Sequence, residues 1–304
     1  MKIRFSKSGI HLFDRNSGNN ILIDEITVPE TLWSQAPRHV SIALTNACDL
    51  ACRYCYASKK GATLKFEHLK FWLHEMDRNG TLGVGFGGGE PTLYKHFVDI
   101  CSYASSTTSL AVSFTTHGHH VSDKVLEELY GKVHFIRVSL DGLHETYERL
   151  RGRSFKMVKE RICAIEKKIP FGINYVVNDD TLPDLYEAIN FAESVGASEF
   201  LLLPEYRRTE EAAFSTRILN SIKGLVEMNT SLMPLRISEL CSEGLPVCDP
   251  FASESSLSSY AHVDAEGVLK RTSYDLNGIK ITADGFMKGL QKLSQEIENI
   301  KNKK

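Results

Sequence analysis

In LTNACDLACRYCYASKK, residues 44–60, Cys48, Cys52 and Cys55 stand at spacings of four and three, with Tyr54 directly before the last. Thiolates are soft ligands that select iron–sulfur clusters or zinc. A disulfide framework calls for an even number of cysteines, and a structural zinc site for a fourth ligand. Three thiolates on one loop instead suit three corners of a cubane cluster, which is usually held by four. The fourth iron is then open to a small molecule. A zinc knuckle completed by a distant histidine is the alternative. Three merely buried thiols sit poorly with Asp49 and Arg53 in the same loop.

Other residues could serve such a centre. Gly88 and Gly89 lack a Cβ, so backbone there can approach a ligand closely, and Glu90 follows them as a hydrogen-bond acceptor. THGHH, residues 116–120, offers Thr116, His117 and two more histidines, but no carboxylate is evident nearby to complete a metal site. Asn178 closes an apolar run and suits either ligand contact or an Asx-turn. Cys101 and Cys163 read as small buried hydrophobes of amphipathic helices. Cys248 in LPVCDPF is a candidate hydrogen-atom donor or a packing residue, and Cys241 carries no assignment.

The elements that must position these residues are legible as a repeat. Strand-like runs HVSIALT, LGVGFGG, LAVSFTT, FIRVSLD, FGINYVVN and EFLLLPE begin near 39, 82, 110, 135, 171 and 199, with helix-compatible segments between them. Such alternation implies βαβ crossovers and a parallel sheet. Each run ends in polar or glycine-rich residues: TNACD, GGGEPT, THGHH, SLDG, VVNDD and LLPE. In barrels that edge carries the active site. The predicted fold is therefore α/β, a partial (β/α)6 TIM-like barrel over 38–230, with a doubly wound sheet as the alternative. An N-terminal β-hairpin extension precedes it over 1–37, and a small C-terminal cap with a helix follows over 231–304. Asp123, and Asp180 or Thr181, stand where N-caps are expected, and Gly131 and Gly196 where helices would end.

Composition bounds the rest. The chain of 304 residues is 42% hydrophobic and 24% charged, enough for one large core, and its net charge of −2 gives no field for nucleic acid or an anionic membrane. No apolar run reaches the ~18 residues of a membrane span, and MKIRFSKSGIHLFD does not read as a signal peptide. A cytoplasmic, reducing location is expected, where seven cysteines point to metal or redox chemistry.

Cys48-Asp-Leu-Ala-Cys52-Arg-Tyr54-Cys55 resembles the CxxxCxΦC signature of the radical SAM superfamily. Gly88-Gly89-Glu90-Pro91 resembles its GGE motif, and VSLDGLHETYERLRGRSF, 138–155, a segment of its peptide- and protein-modifying branch. The resemblance spans 38 to about 206. It implies a 4Fe-4S cluster on Cys48, Cys52 and Cys55, with S-adenosylmethionine (SAM) chelating the open iron. Reductive cleavage of SAM would give a 5′-deoxyadenosyl radical that abstracts hydrogen from a peptide or protein. The electron would come from an external donor such as flavodoxin or ferredoxin.

The same resemblance places Tyr54 beside the adenine or the cluster, and Glu90 near the methionine amino group. It brings Thr116 and His117 against SAM in a T-N-G-like turn. Ser139 and Arg151 go to the ribose or carboxylate end, with Arg149 and Arg153 as competitors, and Asn178 to the ribose. VDAEGVLKRTSY is similar to the hairpin of a SPASM or twitch domain, but Thr272 or Ser273 stands where a ligand cysteine would be. A degenerate cap without an auxiliary cluster is expected. The first hairpin could add a strand edge for an extended peptide. Alternatives are a radical SAM enzyme acting on a small metabolite or nucleotide, and a non-catalytic iron–sulfur or zinc protein.

Overall fold

The computed structural model describes residues 1–304 except 59, 206–214, 229–232, 239–241, 243, 255 and 302–304. At the N-terminus β1 (Lys2–Ser6), β2 (Gly9–Phe13) and β3 (Asn20–Ile23) form an antiparallel meander, one strand more than the hairpin read from the sequence. Arg4, 1% exposed, fastens this sheet to the rest of the chain. Its guanidinium donates to the carbonyls of Ala36 (2.8 Å), Gly80 (2.9 Å) and Ser258 (2.9 Å).

Six βα units follow. They are β4 (His39–Thr45) with α1 (Phe66–Arg78), β5 (Gly83–Gly88) with α2 (Phe97–Thr107), and β6 (Ala111–Thr116) with α3 (Asp123–Leu129). Then come β7 (Phe135–Ser139) with α4 (His144–Arg151) and α5 (Phe155–Glu166), β8 (Phe171–Val177) with α6 (Leu185–Ser194), and β9 (Phe200–Pro204) with α7 (Thr216–Met228). Strands β4 to β9 pair in parallel and in sequential order. A doubly wound sheet would reverse its order at a switch point. Sequential right-handed crossovers instead keep the helices on one face, the winding of a partial barrel.

The sheet extends at both ends to ten strands. β10 (Leu235–Ile237) pairs with β9 in parallel. After the short α8 (Ser256–Ser259), β11 (Tyr260–Val263) pairs in parallel with β4. β12 (Val268–Lys270) and β13 (Ile279–Lys280) continue antiparallel, and α9 (Phe286–Lys301) closes the described chain. No helix among the described residues is long and apolar enough to cross a membrane.

Burial alternates along the strands. Val40, Ile42, Val84, Phe86, Val112 and Phe114 are buried in the core, the arrangement expected of strand faces that pack on the helices. Ser41, Gly85, Ser113, Thr115, Arg137 and Ser139 alternate with them and stay partly accessible. The second face is therefore a lumen lined with small and polar groups.

Local details depart from the sequence reading for identifiable reasons. α4 was not read as a helix because HETYERLR buries only Tyr147 and Leu150. Ser122, not Asp123, caps α3, its hydroxyl accepting from the Val125 N–H at 3.3 Å. Thr181 makes no side-chain cap and instead donates to the Val176 carbonyl at 2.6 Å. Cys101 is buried, but Cys163 lies on the exposed side of α5.

Two histidines at the β4–β11 seam make stability pH-dependent. His262 is 4% exposed with Nδ1 3.3 Å from the Ser41 hydroxyl, and burial holds its pKa down at about 4. Burial, then the charges of Arg137 and Arg38, lowers His39 likewise to about 4. Each is neutral when folded but takes a proton when unfolded, near its ordinary 6.5. Stability is thus fully present above that value and falls as pH drops from about 6.5 toward 4. For His262 the expected loss between pH 7.5 and pH 5 is on the order of 2 kcal/mol. Guanidinium titrations at the two pH values measure it, and His262→Gln should remove that share of the difference and leave the share of His39.

Candidate functional site

The cysteine loop springs from the C-terminal end of β4, and the end of β5 grips its root. The Gly89 N–H donates to the Thr45 carbonyl (2.7 Å) and the Glu90 N–H to the Ala47 carbonyl (2.8 Å). Gly88 has φ +134°, and a Cβ there would stand 2.1 Å from the Thr45 oxygen; one on Gly89 would stand 2.3 Å from the Ala47 oxygen. These two glycines let one backbone touch another, a different reason from the ligand approach read in the sequence. The open position is Gly87 beside them, where a Cβ would meet no atom within 4 Å.

Asp141, fully buried in the loop after β7, holds the far wall. It accepts from the Tyr54 hydroxyl (2.7 Å) and the Val176 N–H (2.7 Å), and pairs with the Arg151 guanidinium. Burial and then the Asp141 charge push the Tyr54 phenol far above its ordinary range. Burial works against the charge on Arg151, but Asp141, with Tyr54, Cys52 and Tyr147 adding to it, together hold the guanidinium firmly protonated. Arg151 in turn reaches the Cys52 sulfur at 3.8 Å. Arg149 pairs instead with Asp180 at 3.0 Å, and Arg53 of the cysteine loop pairs with the same carboxylate.

Glu90, 1% exposed, ties the β5 end to the turn after β6. One oxygen accepts from the Thr92 hydroxyl (2.6 Å) and the Thr116 hydroxyl (2.8 Å), the other from the His117 N–H (3.0 Å). His117 is buried, and its Nδ1 accepts the His119 N–H at 3.2 Å, so the ring proton sits on Nε2. That nitrogen lies 3.0 Å from Asp49 and 3.4 Å from Glu90. The turn that lacked a carboxylate in sequence thus meets two in space. Burial would raise Asp49, but the hydrogen bond from His117 leads the opposing interactions that hold it at about 2.

Cys48, Cys52 and Cys55 are free and partly accessible. Burial raises the thiols of Cys48 and Cys52, and a bound metal would reverse this by favouring the thiolate. Cys48, Asp49 and His117 also place ligand atoms within 4.8 Å of one another. Ser139 ends β7 on the lumen side, partly accessible. Asn178 makes the Asx-turn, its carbonyl accepting from the N–H groups of Asp180 and Thr181 at 3.0 Å each, while its buried Nδ2 finds no partner. Cys248 is exposed, and Cys241 lies outside the described residues. The Tyr274 ring, beyond β12, packs edge-on 5.4 Å from Tyr56 of the cysteine loop.

The loop therefore collects Tyr54, Gly88, Gly89, Glu90, Thr116, His117 and Arg151 around the cysteines. Sequence reasoning missed Asp49 and Asp141. Both lie inside quoted motifs, but neither has an arginine beside it in sequence, so no local signal marked it. The donor set fits a cluster with a small-molecule ligand. Three thiols share one loop, Gly87 leaves space, and the Asn178 Nδ2 and Arg151 Nε are buried without partners.

Residues 42–192 match the family model described as the radical SAM superfamily. The sporulation killing factor maturation protein SkfB of Bacillus subtilis (strain 168) is 28% identical over 198 residues, 62% of this chain and 48% of that one. The chain thus spans about half the length of the curated relatives it matches. Streptococcus suis SuiB bound to S-adenosylmethionine superposes with a TM-score of 0.72 at 15% identity, covering 93% of this chain and 84% of that one. SuiB bound to precursor peptide SuiA gives 0.71 at 14%, with the same coverage. These likenesses of structure establish a shared fold. With the three-cysteine loop, the GGE turn and sequential parallel strands in one frame, the chain belongs, over residues 42–192, to the radical SAM superfamily of enzymes.

Proposed function

We propose that this chain modifies a peptide or protein by radical SAM chemistry, with one 4Fe-4S cluster on Cys48, Cys52 and Cys55. The observation that carries the reading is a loop of three free thiols at the C-terminal mouth of the parallel strands. When bound, the cluster and SAM supply an electron and a 5′-deoxyadenosyl group able to take a hydrogen atom from substrate. An external donor of the flavodoxin or ferredoxin class would provide the electron.

The chain's own residues hold and shield. Arg151 sets positive charge beside Cys52, and Asp141 keeps that guanidinium aimed. Gly87 and the unpartnered Asn178 Nδ2 leave room and a donor for SAM, and Ser139 adds a hydroxyl at the same rim. Tyr274 packs edge-on against Tyr56 on one flank of the loop. A peptide substrate is supported by the 138–155 segment, by a relative named as a maturation protein, and by a fold neighbour solved with a precursor peptide.

The test is anaerobic reconstitution with iron and sulfide, followed by dithionite and SAM, with Cys52→Ala alongside. The wild type should hold about four irons and release 5′-deoxyadenosine, and the variant should release none. Zinc in place of iron, seated on the Cys48–Asp49–His117 group, would overturn the reading.

A further inference from the structure

The cysteine loop is pinned at a point that cluster binding alone does not require. Asp49 directly follows Cys48, and its carboxylate is held from two sides. One oxygen takes the His117 Nε2–H at 3.0 Å; the other takes His120 Nε2 at 3.1 Å and Arg153 Nη2 at 2.8 Å. The histidines belong to the turn after β6, and Arg153 to the link between α4 and α5. His117 is itself fixed by the Glu90 carboxylate, so the GGE turn, the THG turn and the α4–α5 link converge on one side chain. Every tether is made by protein atoms.

We propose that Asp49 is a positioning residue: clamped by His117, His120 and Arg153, it presets the loop so that Cys48 is oriented for metal before metal binds. This rests on the reading of Cys48, Cys52 and Cys55 as cluster ligands. The physical case is geometric. A free eight-residue thiol loop would have to be ordered when metal binds, at a cost of roughly 1–2 kcal/mol per residue. The clamp moves that ordering into folding. Partners one bond removed from a ligand set its orientation, and their loss typically costs about 10–100-fold in metal affinity. Arg153 also balances the Asp49 charge, so the clamp need not add repulsion against a thiolate-rich centre.

The test has a metal-free arm and a loaded arm. In the metal-free chain, hydrogen exchange of residues 47–56 should quicken about tenfold in Asp49→Ala, while the core strands keep wild-type protection. In the reconstituted chain, Asp49→Ala should lose iron to a chelator about 10–100 times faster and show an altered EPR signal for the reduced cluster. Asp49→Asn, which keeps an acceptor for His117, should recover part of both. Unchanged exchange in Asp49→Ala, or unchanged chelator kinetics and EPR, would overturn the clamp. A wild type that takes up no cluster while the exchange difference persists would instead sink the cofactor reading and leave only the loop-ordering half standing.

Discussion

Asp141→Ala should lower the stability of the chain by about 3–5 kcal/mol, the cost of leaving a buried charge without its partner. The carboxylate is fully buried and answers three groups at once: the Arg151 guanidinium, the Tyr54 hydroxyl at 2.7 Å and the Val176 N–H at 2.7 Å. Its removal strands Arg151, whose Nε is already without a partner. Tyr54→Phe deletes one bond from the same acid, so about 1–3 kcal/mol is the smaller expectation. Guanidinium unfolding followed by circular dichroism measures both. An Asp141→Ala protein within about 1 kcal/mol of wild type would mean that Arg151 finds water or another acid, and that the far wall of the site is softer than described.

Gly88→Ala and Gly89→Ala should each abolish stable iron uptake by the cysteine loop. The new methyl would fall 2.1 Å from the Thr45 oxygen in one case and 2.3 Å from the Ala47 oxygen in the other. Both obstacles are backbone, so no rotamer change relieves them and the loop root must move. Gly88 adds its φ of +134°, which a side chain rarely adopts and which costs on the order of 1–3 kcal/mol. Gly87→Ala is the matched control, because its methyl meets nothing within 4 Å. It should retain iron and stability while weakening SAM, measured by equilibrium dialysis against the reconstituted protein. Equal iron content in all three variants would show that the glycine run is not the loop's anchor.

The parallel strands were legible because continuous apolar runs recur with turn residues at their ends, and each begins within a residue of its predicted start. α4 was not, because a helix that buries only Tyr147 and Leu150 has no apolar stripe to read. β11 hid for another reason. YAHV reads as half of a local hairpin, and nothing in it names β4, more than two hundred residues earlier, as its neighbour. At the site, residue types gave the ligands but not the direction of each bond. Glu90 reads in sequence as an acceptor, but nothing local says that Thr92, Thr116 and His117 are donors to it. Tyr54 reads in sequence for its ring, and the fold adds a hydroxyl bond to Asp141 that no local spacing names. Charge partners brought together by a fold, such as Asp49 with Arg153, leave no mark in local spacing.

The pairing of β11 with β4 carries a consequence for how the chain is made. His262 meets Ser41 across a separation of 221 residues. At about 5–20 residues per second, the ribosome needs roughly 10–45 s to supply that partner. Throughout that interval the first parallel strand has one uncovered edge, and the thiol loop it carries has left the tunnel without Tyr274 beside it. Non-local closure of this kind is slow and aggregation-exposed. The order of synthesis thus gives the cell a window in which the thiols are most accessible, and the last hairpin is what ends it.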